Sequence, residues 1–236
     1  MSIIGRALGF MIGGAVYPSS PTTHNYTGSD QSYVVPAGVT FVRIKSWGAG
    51  AHGSNFSDYP SGGAGQYSYI EIPVTAGETL TVVVGGAGTQ GGSASGPYGG
   101  GGDCVVNAGD GGAGSNGGGG GGKGTTANAS TGAGASGVKR SSTWLARGGG
   151  GGGGSGTGGA NRKGWGGGTY PNGDGAGATD AIFANGGSGI GDILTVGEDG
   201  QPAAAALPGN SGDSDNGGKG YGGGVGAATS GRVVIY

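Results

Sequence analysis

The chain has 236 residues, 70 of them glycine and 9 proline, with 11 basic against 13 acidic side chains and a net charge of −2. Charge this sparse and balanced leaves no basic surface for nucleic acid or anionic lipid, and the single cysteine, Cys104, excludes an internal disulfide. A hydrophobic fraction of 33%, much of it alanine, builds one small core and not one that spans the whole chain.

Glycine and proline at this density default to low complexity. Against that default stand 10 tyrosines, 3 tryptophans and several β-branched runs, which disordered linkers lack. The first segment, Met1 to Tyr17, holds Ile3, Ile4, Leu8, Phe10, Met11 and Ile12, with Arg6 as its only charge. It is too short and too glycine-broken to span a bilayer, which takes roughly 20 apolar residues, and Gly13-Gly14-Ala15-Val16-Tyr17-Pro18 is a poor signal-cleavage site. An apolar terminus needs a cover. Those six side chains are read as an attachment face for another protein, with folding back onto the chain's own domain as the alternative. Pro18 to Gln31 is polar and reads as a linker. Residues 1–31 are thus an attachment segment and linker, and 32–236 the domain.

Strand signals begin at Ser32–Val35, followed by a Pro36-Ala37-Gly38 turn and the run Val39–Trp47. Thr40, Val42 and Ile44 alternate there with Phe41, Arg43 and Lys45, one face to be buried and one to carry charge. Gln66–Val74 and Thr79–Val84, joined by Thr75-Ala76-Gly77-Glu78, read as a β-hairpin. The last residues, Gly231 to Tyr236, give a further strand. Strands 32–84 and 231–236 together make a small antiparallel β-scaffold drawn from both chain ends, which clamps the glycine field between them.

That field, about 99–224, contains the runs Gly117–Gly122 and Gly148–Gly154. Poly-glycine is neither helix nor ordinary strand, because it loses the most backbone freedom on ordering and buries no side chain. Polyproline II geometry, with three residues per turn and no internal hydrogen bonds, points its amides and carbonyls sideways. Rods of that kind can bond to one another where only hydrogen stands between them, so the backbone network takes over the ordering role of an apolar core. The fold class expected is mainly β and irregular: the β-scaffold carries a glycine-rich sandwich of packed polyproline II helices. Apolar words inside the field, Cys104–Ala108, Thr143–Arg147 and Ala181–Asn185, recur about every 40 residues and read as strands returning to the sheet. A flexible glycine tether is the alternative, and it has no use for such words.

Little in the sequence points to catalysis. Gly122-Lys123-Gly124-Thr125 evokes a phosphate loop, but its lysine is not followed directly by Ser or Thr, and Gly-x-Gly-x-x-Gly is inevitable in this composition. His24 and His52 are the only histidines, and no Ser, His and acid set forms around them. Asp213-Ser214-Asp215-Asn216-Gly217 opens like a calcium loop without the distal glutamate and reads as a turn. No catalytic residue, metal or cofactor is expected. The aromatics among glycines are more informative: Tyr59, Tyr98, Trp165, Tyr170 and Tyr221 lack alternating partners and read as loop residues, with Asn172 beside them. Tyr and Trp on loops give large contact area at low entropic cost, although capping of rod ends accounts for them nearly as well.

Val35-Pro36-Ala37-Gly38-Val39-Thr40-Phe41-Val42-Arg43-Ile44-Lys45-Ser46-Trp47-Gly48-Ala49-Gly50, then Gly62–Tyr67, Val74–Gly85 and the closing Gly231–Tyr236, together resemble the glycine-rich domain of tailed-bacteriophage tail-fibre and adhesin proteins. The resemblance covers roughly Ser32 to Tyr236. It implies a polyproline II sandwich and a non-enzymatic, receptor-binding virion protein at or near the tail-fibre tip, acting at the host cell surface. The partners implied are another virion or tail-fibre protein through the N-terminus and a bacterial outer-surface protein or glycan, and the loop residues Tyr59, Tyr98, Trp165, Tyr170, Asn172 and Tyr221 are this reading's own candidates for the receptor contact. A structural virion protein, for decoration or fibre assembly, is the alternative, and homo-oligomerisation stays open.

Overall fold

Alternating apolar side chains commit a segment to a sheet but not to a neighbour, and here the choice of neighbours makes the fold. The computed structural model describes residues 14–52, 62–89, 118, 131–153, 189–195 and 228–236. Among them are nine strands: β1 (Thr22–Asn25), β2 (Gln31–Val34), β3 (Phe41–Trp47), β4 (Tyr67–Pro73), β5 (Thr79–Val83), β6 (Ser136–Arg140), β7 (Thr143–Gly148), β8 (Ile193–Thr195) and β9 (Arg232–Ile235). They form two antiparallel sheets, one in the order β1-β9-β3-β4-β8 and the other β2-β5-β6-β7.

The sheets face each other across one core. Val42, Ile44, Ile72, Val233 and Ile235 come from the first sheet, and Tyr33, Leu80, Val82, Val138 and Ala146 from the second. In β3 the expected alternation holds: Val42 and Ile44 are buried while Arg43 is exposed. The C-terminal strand is where the scaffold argument placed it. β9 lies between β1 and β3, so the first and last strands of the described residues meet in one sheet.

Two sequence expectations are corrected. Gln66–Val74 and Thr79–Val84 are not a hairpin: β4 pairs with β3 and β8, whereas β5 pairs with β2 and β6 in the opposite sheet. Their connection is a corner between the layers. Glu78 N–H donates to the Thr75 carbonyl (2.9 Å) across Gly77, whose φ of 81° is the left-handed value that the third position of a type II turn demands. The Pro36–Val39 turn has the same form, with Gly38 at φ 80°, and the two turns bond to each other through Gly77 N–H to Val35 O and Val35 N–H to Glu78 O.

The second correction concerns Pro18–Gln31, which is not merely a linker. Thr22–Asn25 is a strand on the edge of the first sheet, and its His24 is buried. A polar strand escapes a hydrophobic-pattern reading because its only requirement is a free sheet edge. β6 and β8, inside the glycine field, were likewise not expected as strands. Thr143–Arg147 was, and it is β7. The other two apolar words, Cys104–Ala108 and Ala181–Asn185, lie outside the described residues.

An ion pair locks the corner to the second sheet. Glu78 accepts from Arg140 Nε and, at 3.2 Å, from Arg140 Nη2, which also donates to the Pro73 carbonyl at 3.0 Å. Glu78 takes a further hydrogen bond from the Thr75 amide at 3.1 Å. The Arg140 guanidinium, with help from that amide, holds the Glu78 carboxyl below its ordinary value of 4.5. A group depressed on folding contributes stability above its unfolded value and loses it as pH falls through the folded one. Glu78→Gln is therefore expected to cost about 1 kcal/mol at neutral pH, since Arg140 is 42% exposed and solvent screens the pair. In urea titrations from pH 7 downward, the gap between wild type and variant should begin to close below about pH 4.5 and vanish at lower pH. A gap that does not change with pH would contradict the assignment.

Candidate functional site

The sandwich has two unlike ends. At one end sit the Pro36–Val39 turn, the Thr75–Glu78 corner, the Ser141-Ser142 turn of β6–β7 and the terminal Tyr236. At the other, β3, β5 and β7 run out into glycine- and alanine-rich segments, and β4, β6 and β9 arise from such segments. These are residues 48–52, 62–66, 84–89, 131–135, 149–153 and 228–231. None forms a ladder with its neighbours, yet most of their residues are buried, those of 228–230 excepted.

Their amides settle how they are held. Gly48 N–H donates to Gln66 O (2.9 Å), Ala49 to Gly134 O (2.9 Å), Gly50 to Thr229 O (3.0 Å) and Ala51 to Gly63 O (2.9 Å). Successive donors thus visit segments 62–66, 131–135 and 228–231 in turn, and the fourth returns to the first. A strand would alternate between two sides; this segment has a period of three. The lattice continues through Gly151 N–H to Ala49 O, Ala133 N–H to Gly151 O, Gly63 N–H to Gly152 O and Gly134 N–H to Gly86 O.

At several positions only glycine fits such spacing. A Cβ at Gly48 would fall on the carbonyl oxygen of Gly149, at Gly65 on that of Gly48, at Gly150 on that of Ala133, and at Gly151 on that of Gly63. Where a methyl is tolerated, alanine appears: Ala49, Ala51 and Ala133 form a small buried cluster of their own. Polar side chains seal the seam between lattice and sheets. Ser136 Oγ accepts from Gly85 N–H at 2.9 Å, and Gln66 Oε1 from Gly149 N–H at 3.3 Å.

The residues expected to recognise a host fall in intervals that the lattice segments and β8 flank in sequence. Intervals 53–61, 90–130, 154–188 and 196–227 each begin and end at this end of the sandwich or on the short β8 beside it. Tyr59 falls in the first, Tyr98 in the second, Trp165, Tyr170 and Asn172 in the third, and Tyr221 in the fourth. All six lie outside the described residues. So do the attachment residues Ile3, Ile4, Leu8, Phe10, Met11 and Ile12. The chain nearest to them is tied to its own domain: Thr40 and Phe41 amides donate to Val16 O at 2.9 and 3.1 Å.

No protein-family model matches the chain, and no curated protein does.

Three groups that sequence reasoning passed over stand out on the sheets. On the outer face of the first, Tyr17 donates to Glu71 Oε1 at 2.7 Å, Arg43 Nε donates to Glu71 Oε2 at 2.9 Å, and the Arg43 guanidinium lies 4.2 Å from the Tyr17 ring centroid. These hydrogen bonds lower the Glu71 pKa and raise those of Tyr17 and Arg43. On the outer face of the second, Lys139 Nζ lies 4.4 Å from the Trp144 ring centroid and the Arg147 guanidinium 5.7 Å from it. A bulge between Val138 and Lys139 sets this up, because it opposes Lys139 to Trp144 and leaves Leu145 to pack on the core. The third is Tyr33, buried with a hydroxyl that has no partner. Among the described residues no cluster of His, Cys, Asp or Glu is arranged to hold a metal ion.

Proposed function

We propose that the chain is a non-enzymatic bacteriophage tail-fibre or receptor-binding adhesin. In this reading the β-sandwich is a base, and the glycine field above it is a sandwich of polyproline II helices. The loops of that head recognise a protein or glycan of the host bacterial surface. Ile3, Ile4, Leu8, Phe10, Met11 and Ile12 seat the protein on another virion protein.

One observation carries the reading: the period-three donation of Gly48–Ala51 to three separate neighbours. Three residues per turn with every amide directed sideways is the signature of polyproline II, and the exclusion of Cβ atoms at Gly48, Gly65, Gly150 and Gly151 is what close packing of such helices requires. Together with the motifs shared with tail-fibre adhesins, this supports a rigid head that presents loop aromatics. The experiment is adsorption of the full-length protein to host cells. Trp165→Ala combined with Tyr170→Ala is expected to weaken adsorption on the order of thirtyfold, as loss of an aromatic hot spot does, while circular dichroism stays unchanged. Undiminished adsorption would remove these two residues from the site. Failure of the wild-type protein to bind host cells at all would favour a structural virion role.

A further inference from the structure

The chain carries a net charge of −2, but its strands do not share charge evenly. The four strands of the second sheet, β2, β5, β6 and β7, contain Lys139, Arg140 and Arg147 and no aspartate or glutamate. Arg140 is taken up by Glu78 at the corner. Lys139 and Arg147 are both held against one indole on the outer face, the ammonium 4.4 Å and the guanidinium 5.7 Å from the Trp144 ring centroid. Among the described residues no carboxylate pairs with Lys139. Two cations gathered on one ring, on a sheet without acidic residues, make a local positive field that the chain's overall charge conceals.

Strand register lays out what lies beside them. Ser32 pairs with Thr81, Thr81 with Lys139, and Lys139 with Trp144, so one row crosses all four strands on the solvent side: hydroxyl, hydroxyl, ammonium, indole. Three steps between strands make this row roughly 14 Å long, the length of a short oligosaccharide. Ser32 is exposed and Thr81, Lys139 and Trp144 are half-buried, so each has surface to give. The β6–β7 turn next to the row adds the exposed Ser141, whose φ of 56° is a strained setting of the kind that clusters at ligand clamps. Hydroxyls to meet other hydroxyls, cations to meet a carboxylate and a flat indole to meet a face of C–H bonds together describe an acidic sugar. A nucleic-acid backbone needs a longer cationic stripe than this, and a phosphate ion alone has no use for the indole.

We infer that the outer face of the second sheet is a binding site for an acidic oligosaccharide, with a carboxylate on Lys139 and Arg147 and a sugar ring on Trp144. In the empty protein the Lys139 ammonium covers the indole. Moved onto a carboxylate, it exchanges a cation–π contact for a charge-assisted hydrogen bond and bares the ring. Thr81 and Ser32 extend the site along the row. The site belongs to a sheet face and not to the loops, so it stands or falls independently of whether Trp165 and Tyr170 bind a host.

The test is a titration of the full-length, 15N-labelled protein with trigalacturonate, trimannuronate and disialic acid. Maltotriose, inorganic phosphate and oligothymidylate serve as comparisons. At least one acidic sugar is expected to shift the Trp144 indole N–H and the amides of Thr81 and Lys139 saturably, with an affinity that falls as salt is added, while the comparison ligands leave them in place. Lys139→Gln is expected to bind on the order of tenfold more weakly with its melting temperature nearly unchanged. Thr81→Glu places a carboxylate directly across from Lys139, where it competes with the ligand's own, and is expected to abolish the shifts; it keeps the inference testable should Lys139→Gln fold poorly. Absence of saturable shifts with all three acidic sugars would overturn the inference. Equal binding of maltotriose or phosphate, tighter binding of oligothymidylate, saturable shifts confined to other residues, or undiminished binding by either variant would do the same.

Discussion

Alanine at Gly48 or Gly151 is expected to lower folding stability by about 3 kcal/mol, at the upper end of overpacking effects. The usual relief for an added methyl is a rotamer change in a neighbouring side chain, and none is on offer here. The atoms that a Cβ would strike are the main-chain carbonyl oxygens of Gly149 and Gly63. Moving either carbonyl disturbs a segment whose amides are bonded elsewhere, since Gly151 donates to Ala49 and accepts from Ala133. The damage should spread through the lattice. Gly14→Ala is the control, as no atom lies within 4 Å of the Cβ it would add, and its cost should stay within about 0.5 kcal/mol. Urea denaturation of the three variants decides the matter. A wild-type midpoint for Gly48→Ala would mean that the glycine segments do not approach as closely as described.

Trp47→Ala is expected to cost about 4 kcal/mol, the middle of the range for losing a buried aromatic side chain. Trp47 is fully buried. It is the last residue of β3, paired with Tyr67 on one side and Arg232 on the other, and its ring centroid lies 5.2 Å from that of Tyr67. The next residue, Gly48, opens the glycine lattice, so this indole stands where side-chain packing hands over to backbone packing. Trp47 and Tyr67 also form, with Val234, a cluster distinct from the main core, so no large neighbouring core is available to collapse into the void. Trp47→Phe should lose less than about 1.5 kcal/mol, because Nε1 is buried without a partner and its removal relieves an unsatisfied donor. Chemical denaturation of both variants checks the pair. Equal losses would show that the indole nitrogen is bonded after all.

Where strand faces are concerned, the sequence was a good guide. The alternation of Val42 and Ile44 with Arg43 sorts inside from outside at β3, and the same is true of Leu80 and Val82 at β5. Period two is a local property, which each strand displays without reference to any other. Partnership is not local. Ile70 and Ile72 in β4 and Leu80 and Val82 in β5 suit a hairpin equally well as a corner, because both place apolar residues against one core. Thr22–Asn25 shows the converse. Its polar residues carry no pattern, and it became a strand because β9 offered an open edge. In β6, Gly137 breaks the pattern, and Val138 alone gives no period to read.

The candidate recognition residues Tyr59, Tyr98, Trp165, Tyr170, Asn172 and Tyr221 rest on residue type and glycine context alone, and they lie outside the described residues.

By itself the sequence determined that the chain holds a small antiparallel β-scaffold, that the strand at 232–235 joins the same sheet as β3, and that its glycine-rich segments must be ordered through main-chain bonds if they are ordered at all. These follow from residue type and short-range period, which act within a few residues. Only the tertiary structure decided which strands pair, that β4 and β5 lie in opposite layers, and that the Gly48–Ala51 amides reach three different neighbours. Those are contacts between residues far apart in the chain, chosen by which edges, faces and carbonyls are left free once the others have been taken.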